Sequence, residues 1–250
     1  MLLEEENNSN IEVKSNDIDI KQNTEKDMGL KKLIALFAIG FAGLIILSFI
    51  LQLIFYPFDL EKGVKSGIPT FITYGLIVGA LFFVINKDIK LFKDDFKKWM
   101  SYLLGVSIAV LIVLFTLIYT NIVNLYRPYT ISDNERDLRD IIDAFPVLSV
   151  IFFCFVGPVS EELTYRVGLF NIFIKKKWLA YLIGVLVFTL VHFRFTSSDI
   201  IGELINLPVY LLSAIALVFA YDKLGLAASL TAHIGNNLYA IISYLIVKNL

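Results

Sequence analysis

Two adjacent carboxylates, an arginine one helical turn further on, two histidines and an asparagine interrupt stretches of this chain that are otherwise apolar. Glu161, Glu162 and Arg166 stand inside the run VLSVIFFCFVGPVSEELTYRVGLFNIFI, and His192 and His233, the only 2 histidines, fall in later apolar runs. Carboxylate and imidazole are the usual proton acceptors and donors of hydrolytic sites. Ionisable groups at membrane depth cost at least a few kcal/mol, so they face the bundle interior and mark function. Glu162 and Arg166 are four apart and can pair along one helix face. Glu161 points about 100° away from that face. The spacing therefore implies two roles: one carboxylate held by the arginine, the other free for chemistry. His192 closes the string FTLVH, four residues after Phe188. His233 opens HIGNN, which puts Asn237 on the same helix face as His233. A lone histidine in a membrane helix is more often an interhelical hydrogen-bonder than a catalyst; two of two beside a glutamate pair shifts the balance.

These groups can meet only if the elements carrying them bring them to one depth. Glu161 lies 14 residues before Lys175, and His192 lies 15 residues after Lys177. At about 1.5 Å per residue both sit about 21–23 Å from the same charged turn, so an antiparallel hairpin makes them level. His233 and Asn237 follow Lys223 by 10 and 14 residues, which is about 15 and 21 Å. Tilts of about 20° change such figures by only a few ångströms. Ala227, Ala228, Ser229, Ala232 and Gly235 would let the helix of His233 approach its neighbours closely, although small residues of this kind are also ordinary packing.

The remaining sequence supplies that frame. Of 250 residues, 57% are hydrophobic, and the mean hydropathy is +0.73. A soluble domain rarely exceeds about half apolar composition. Seven segments approach the roughly 20 apolar residues needed to cross a bilayer: 33–56, 67–86, 99–126, 145–172, 178–194, 205–221 and 225–247. The reading is an all-α, polytopic transmembrane helix bundle of about seven spans. Gly157-Pro158 permits a kink in the fourth span, and Pro208 one in the sixth. Residues 1–29, with Glu4, Glu5 and Glu6 near their start, are too polar to fold alone and read as a disordered tail. The organisation expected is this tail, N-terminal spans with an acidic loop over 30–143, and a core over 144–248 carrying the chemistry. The single cysteine, Cys154, is read as packing. Trp178 and Arg194, near span ends, read as interface anchors.

Lysine and arginine orient the bundle. Lys31, Lys32, Lys87, Lys90, Lys93, Lys97, Lys98, Lys175, Lys176, Lys177 and Lys223 flank one set of span ends; Lys62, Lys65, Arg127, Arg136, Arg139, Arg194 and Lys248 flank the other. The first set is larger, 11 against 7, and favours a cytoplasmic N-terminus; the Ile-, Asn- and Lys-rich makeup points to a bacterial cell membrane. The acidic 127–144 connection then becomes an outside loop or surface helix. A net charge of −1 with no basic patch gives no footing for nucleic acid.

Glu161-Glu162-x-x-x-Arg166, Phe188-x-x-x-His192 and His233-x-x-x-Asn237, in that order, resemble the type II CAAX prenyl endopeptidases and the related bacteriocin-processing and abortive-infection-like membrane peptidases. Each motif alone is weak; their conjunction inside apolar segments is specific, and the resemblance covers about 144–248. It implies hydrolysis of a peptide bond in a membrane-associated peptide or protein. By that resemblance Glu161 is the general base on water, assisted by His192. Glu162 with Arg166 holds the helix, and His233 and Asn237 donate to the oxyanion.

A zinc ion held by Glu161, His192 and His233 would fit the resemblance and leave a position for water. The chain lacks HExxH, however, and the reading leans to metal-independent glutamate chemistry. Two other classes stand beside the peptidase. One is a non-catalytic bacteriocin-immunity or scaffold protein on the same helices. The other is a small proton-coupled transporter, which would call for inverted repeats or paired broken helices; none are visible.

Overall fold

The computed structural model describes residues 28–248; the expected tail, 1–29, lies outside them but for its last two residues. Eight helices follow: α1 (Leu30–Phe55), α2 (Lys62–Ile85), α3 (Trp99–Tyr126), α4 (Asp133–Ala144), α5 (Pro146–Phe170), α6 (Lys177–Val191), α7 (Ile200–Leu224) and α8 (Leu226–Lys248). Two short 3₁₀ turns, Ile89–Phe92 and Asp95–Lys97, connect α2 to α3. There is no strand among the described residues. Six helices are long and apolar enough to cross a membrane, and α6 is a shorter apolar helix. The chain is a polytopic helical bundle of about seven spans, as composition demanded. Its outer surface is hydrocarbon: Phe83 is 78% and Leu125 80% exposed, which only lipid makes tolerable.

With apolar residues on every side, hydrophobic patterning cannot choose which faces meet, and small residues do so instead. A Cβ at Gly40 of α1 would lie 1.7 Å from Thr164 Oγ1 of α5, and one at Gly168 of α5 would lie 2.9 Å from the Phe37 nitrogen of α1. Gly105 of α3 sits equally close to the Ala228 carbonyl of α8. These contacts press α1 and α8 onto their neighbours at backbone range. The α7–α8 turn uses Gly225 at φ 95°, a left-handed conformation that favours glycine; the Asp95 carboxylate accepts the following Leu226 N–H at 3.2 Å.

At one end of the bundle Lys32 pairs with Asp88 at 2.6 Å and Lys177 with Asp222 at 3.0 Å. At the other, the 127–144 connection is a surface helix. Ser132 caps α4, accepting the Glu135 N–H at 3.1 Å, and Ile141 and Ile142 bury its inner face. Lys62, Arg194 and Lys248 pair with Asp137 or Asp140, Asp137 and Asp143 respectively. Arg194, expected as an interface anchor, ties the loop after α6 to α4.

Several spans differ from their expected bounds: α2 starts five residues before 67. α7 starts five residues before 205, because its first turns carry Glu203 and Asn206, polar residues that look like loop. Both are buried: the Glu203 carboxylate accepts the Asp133 and Arg194 backbone N–H groups at 2.7 and 3.1 Å. α6 stops at Val191, so His192 ends that helix rather than lying within it. Cys154 is fully buried packing.

Candidate active site

α5 is not a uniform α-helix. Two stretches, Phe152–Val156 and Glu162–Phe170, have wide π-type turns, separated by an α-helical turn over Gly157–Glu161. Such bulges recur at functional sites, and they flank the Gly157-Pro158 pair at which a kink is expected. Proline is the cause in the first. The Gly157 N–H bonds to Phe152 O, five residues back; continuing that ladder would pair Phe153 O with Pro158, which has no N–H. The orphaned carbonyl takes its hydrogen bond from another helix, Asn237 Nδ2 at 2.8 Å. Asn237, expected at the oxyanion with His233, is thus engaged in mending the backbone of α5.

The second stretch is buried along its whole length. Arg166 Nε lies 3.5 Å from Glu162 Oε2, the one-turn pairing that the spacing implies. Arg166 is 0% exposed, and none of its three nitrogens has a hydrogen-bond partner among the described residues. Its guanidinium lies over the ring of Phe188, 4.6 Å from the centroid. The aromatic face supplies attraction for a cation where water is excluded. Phe188 therefore has a use that the motif alone did not reveal.

Glu162 is the hub. Ser229 Oγ donates to its Oε2 at 2.5 Å, and His233 Nδ1 lies 3.0 Å from its Oε1. An ionised carboxylate only accepts, so the Nδ1 nitrogen carries the proton. His233 Nε2 faces Glu161 Oε2 at 3.6 Å. Acid, imidazole and acid thus form a continuous array, Glu162–His233–Glu161, from α5 and α8. Ser229, His233 and Asn237 recur every four residues and make one stripe of α8 against α5. Ser229, which reads from sequence as a small packing residue, is a donor to the hub.

Glu161 Oε1 accepts from the hydroxyl of Tyr74 in α2, at 3.3 Å. Nothing in the sequence marks Tyr74, one tyrosine of 12. His192 stands apart from the array. Its Nδ1 is 2.8 Å from Phe188 O, and its ring stacks on Tyr210 at 5.1 Å. The carbonyl fixes the proton on Nδ1 and leaves Nε2 the lone-pair nitrogen. Phe188 touches both imidazoles, with centroids 4.8 Å from His192 and 5.8 Å from His233. The imidazole that faces Glu161 is that of His233, where the resemblance assigned the assistance to His192.

A zinc site needs three or four ligands converging at about 2.0–2.2 Å from the ion. Among the described residues no group of three histidine, cysteine or acidic side chains is placed to hold one. The set Glu161, His192 and His233 forms no such group among the described residues.

Comparison with known proteins agrees with the part of the chain that carries this geometry. The chain is 32% identical over 120 residues to UPF0177 protein YbdI of Lactococcus lactis subsp. lactis (strain IL1403). That alignment spans 47% of this chain and 61% of the relative. No solved structure matches. The segment holding Glu161, Glu162, Arg166, Phe188, His192, His233 and Asn237, residues 143–239, matches the family described as Rce1-like, type II CAAX prenyl endopeptidase.

Proposed function

We propose that the protein is an intramembrane endopeptidase that hydrolyses a peptide bond in a membrane-associated peptide or protein. The observation that carries this reading is the Glu162–His233–Glu161 array, in which Oε2 of Glu161 is shut off from solvent and has no hydrogen-bond donor among the described residues. Water beside that oxygen gives its proton to Glu161 as its own oxygen adds to the scissile carbonyl. Glu161 then delivers the proton to the departing nitrogen as the C–N bond breaks. Glu162, committed to Ser229, His233 and Arg166, holds His233 with Nε2 toward the reacting centre. His192 presents its Nε2 lone pair on the other side of Phe188 and orients the water or the substrate amide. Asn237 keeps α5 in the bulged form that sets the two glutamates apart. A divalent metal is not needed for any of these proton transfers.

Glu161→Gln preserves shape and removes the proton acceptor. Cleavage of membrane-presented peptides should fall by about 10²–10⁴-fold, the usual worth of a positioned acid–base group, while the purified protein keeps its thermal midpoint. Peptides trapped by this variant in native membranes would identify the substrate. Undiminished cleavage by folded Glu161→Gln overturns the reading. If, instead, the variant still binds and protects in cells where the wild type cleaves nothing, the scaffold class replaces it.

A further inference from the structure

The region matched by the family begins at residue 143, yet Glu161 takes its one hydroxyl contact from outside it. We propose that Tyr74 of α2 is a positioning residue for Glu161: its hydroxyl fixes Oε1 and so aims Oε2 at His233 and the reacting water. This rests on the peptidase reading only for its catalytic consequence, since the contact itself is geometric.

α2 is registered against α4 and α5 along one face. A Cβ at Gly63 would lie 2.0 Å from the Asp140 carbonyl, and one at Gly67 3.0 Å from the Phe145 ring. Phe71 then packs among Phe145, Phe152 and Phe153, with centroids 5.6, 4.8 and 5.8 Å away. Three residues beyond Phe71 stands Tyr74, whose ring passes Gly157, where a Cβ would be 3.6 Å from Cε1. Positions 63, 67, 71 and 74 follow the helical repeat of one inward stripe. This close approach at Gly63 and Gly67 holds α2 at its depth against α4, so the depth of Tyr74 does not rest on its own hydrogen bond. The two carboxylate oxygens of Glu161 are in this way divided between two helices. Oε1 belongs to α2 through Tyr74 at 3.3 Å, and Oε2 faces α8 through His233 at 3.6 Å. A carboxylate held at one oxygen cannot rotate freely about its terminal bond, which keeps the other in place for in-line proton transfer.

Tyr74→Phe keeps the ring and deletes the donor. The test is infrared difference spectroscopy of the full chain in lipid nanodiscs, with the Glu161 carboxyl band assigned by its disappearance in Glu161→Gln. The band should move in Tyr74→Phe, because a carboxyl that loses a hydrogen bond vibrates at a different frequency. It should stay put in Phe71→Leu, which disturbs the same stripe without touching Glu161. In a cleavage assay kcat should fall about ten- to a hundredfold in Tyr74→Phe, as for a hydrogen bond to a charged group, with KM unchanged. An unmoved band overturns the proposal, as does full kcat in Tyr74→Phe when Glu161→Gln is inactive; both leave the peptidase reading intact. A moved band in a chain that cleaves nothing supports the contact and removes the peptidase reading instead.

Discussion

Ser229→Ala deletes one oxygen from the core and tests whether Glu162 is the hub described above. Ser229 Oγ has two acceptors, Glu162 Oε2 at 2.5 Å and Leu217 O at 3.0 Å, and a hydroxyl has only one proton to give. The carboxylate is the stronger acceptor. Hydrogen bonds to charged groups are worth about 1.5–3 kcal/mol, whereas interhelical bonds in a bilayer average about 0.6 kcal/mol, with a maximum near 1.7. The lower membrane figure arises because the unfolded-in-lipid reference finds other partners. Glu162 is 1% exposed, and after the substitution it keeps His233 and Arg166, so part of its compensation survives. The expected loss is therefore about 1.5 kcal/mol, near the top of the membrane range. Reversible unfolding in mixed detergent micelles measures it. Ser213→Ala is the comparison: among the described residues Ser213 Oγ donates back to Val209 O within α7, at 2.9 Å, and its loss should cost about 0.5 kcal/mol or less. A double-mutant cycle with Glu162→Gln completes the assay. If Ser229→Ala costs no more than Ser213→Ala, or costs the same in both Glu162 backgrounds to within about 0.3 kcal/mol, the hub is wrong.

Two further substitutions probe the frame. Gly40→Ala places a methyl 1.7 Å from Thr164 Oγ1 and should cost about 1–3 kcal/mol as overpacking. Thr164→Ala should restore only part of that in the thermal midpoint, because Thr164 Cβ would itself remain 2.6 Å away. Phe188→Leu removes the ring beneath Arg166, while Phe170→Leu removes an equally buried ring that meets only Tyr181 and Tyr221 among its aromatic neighbours. Both lose similar apolar area. Chemical denaturation should show Phe188→Leu the costlier by about 1–2 kcal/mol, the worth of a desolvated cation–π contact; equal costs would deny the guanidinium that support.

How much of this was legible in the chain depends on the range of the interaction concerned. Membrane crossing follows from composition, and the Glu162–Arg166 pairing follows from a four-residue spacing within one helix. The acidic connection was legible only as an outside loop or surface helix; the structure makes it a helix capped by Ser132. Depth counting along the spans put Glu161, His192 and His233 at comparable levels, because helical rise is fixed by the backbone. What residue types stand at membrane depth is thus a property of the sequence.

Which of those groups touch is not. In lipid every helix face is apolar, so no periodicity announces the inward side, and the choice falls to close backbone contacts such as Gly40 on Thr164 and Gly63 on Asp140. Those contacts join residues far apart in the chain and set the rotation of each span. They put His233 rather than His192 beside Glu161, sent Asn237 to the carbonyl that Pro158 leaves without a donor, and delivered Tyr74 from a helix bearing no motif at all. Sequence settled the inventory of polar groups and their depth; tertiary packing alone decided their partners, because partnership here is a matter of helix rotation and not of spacing.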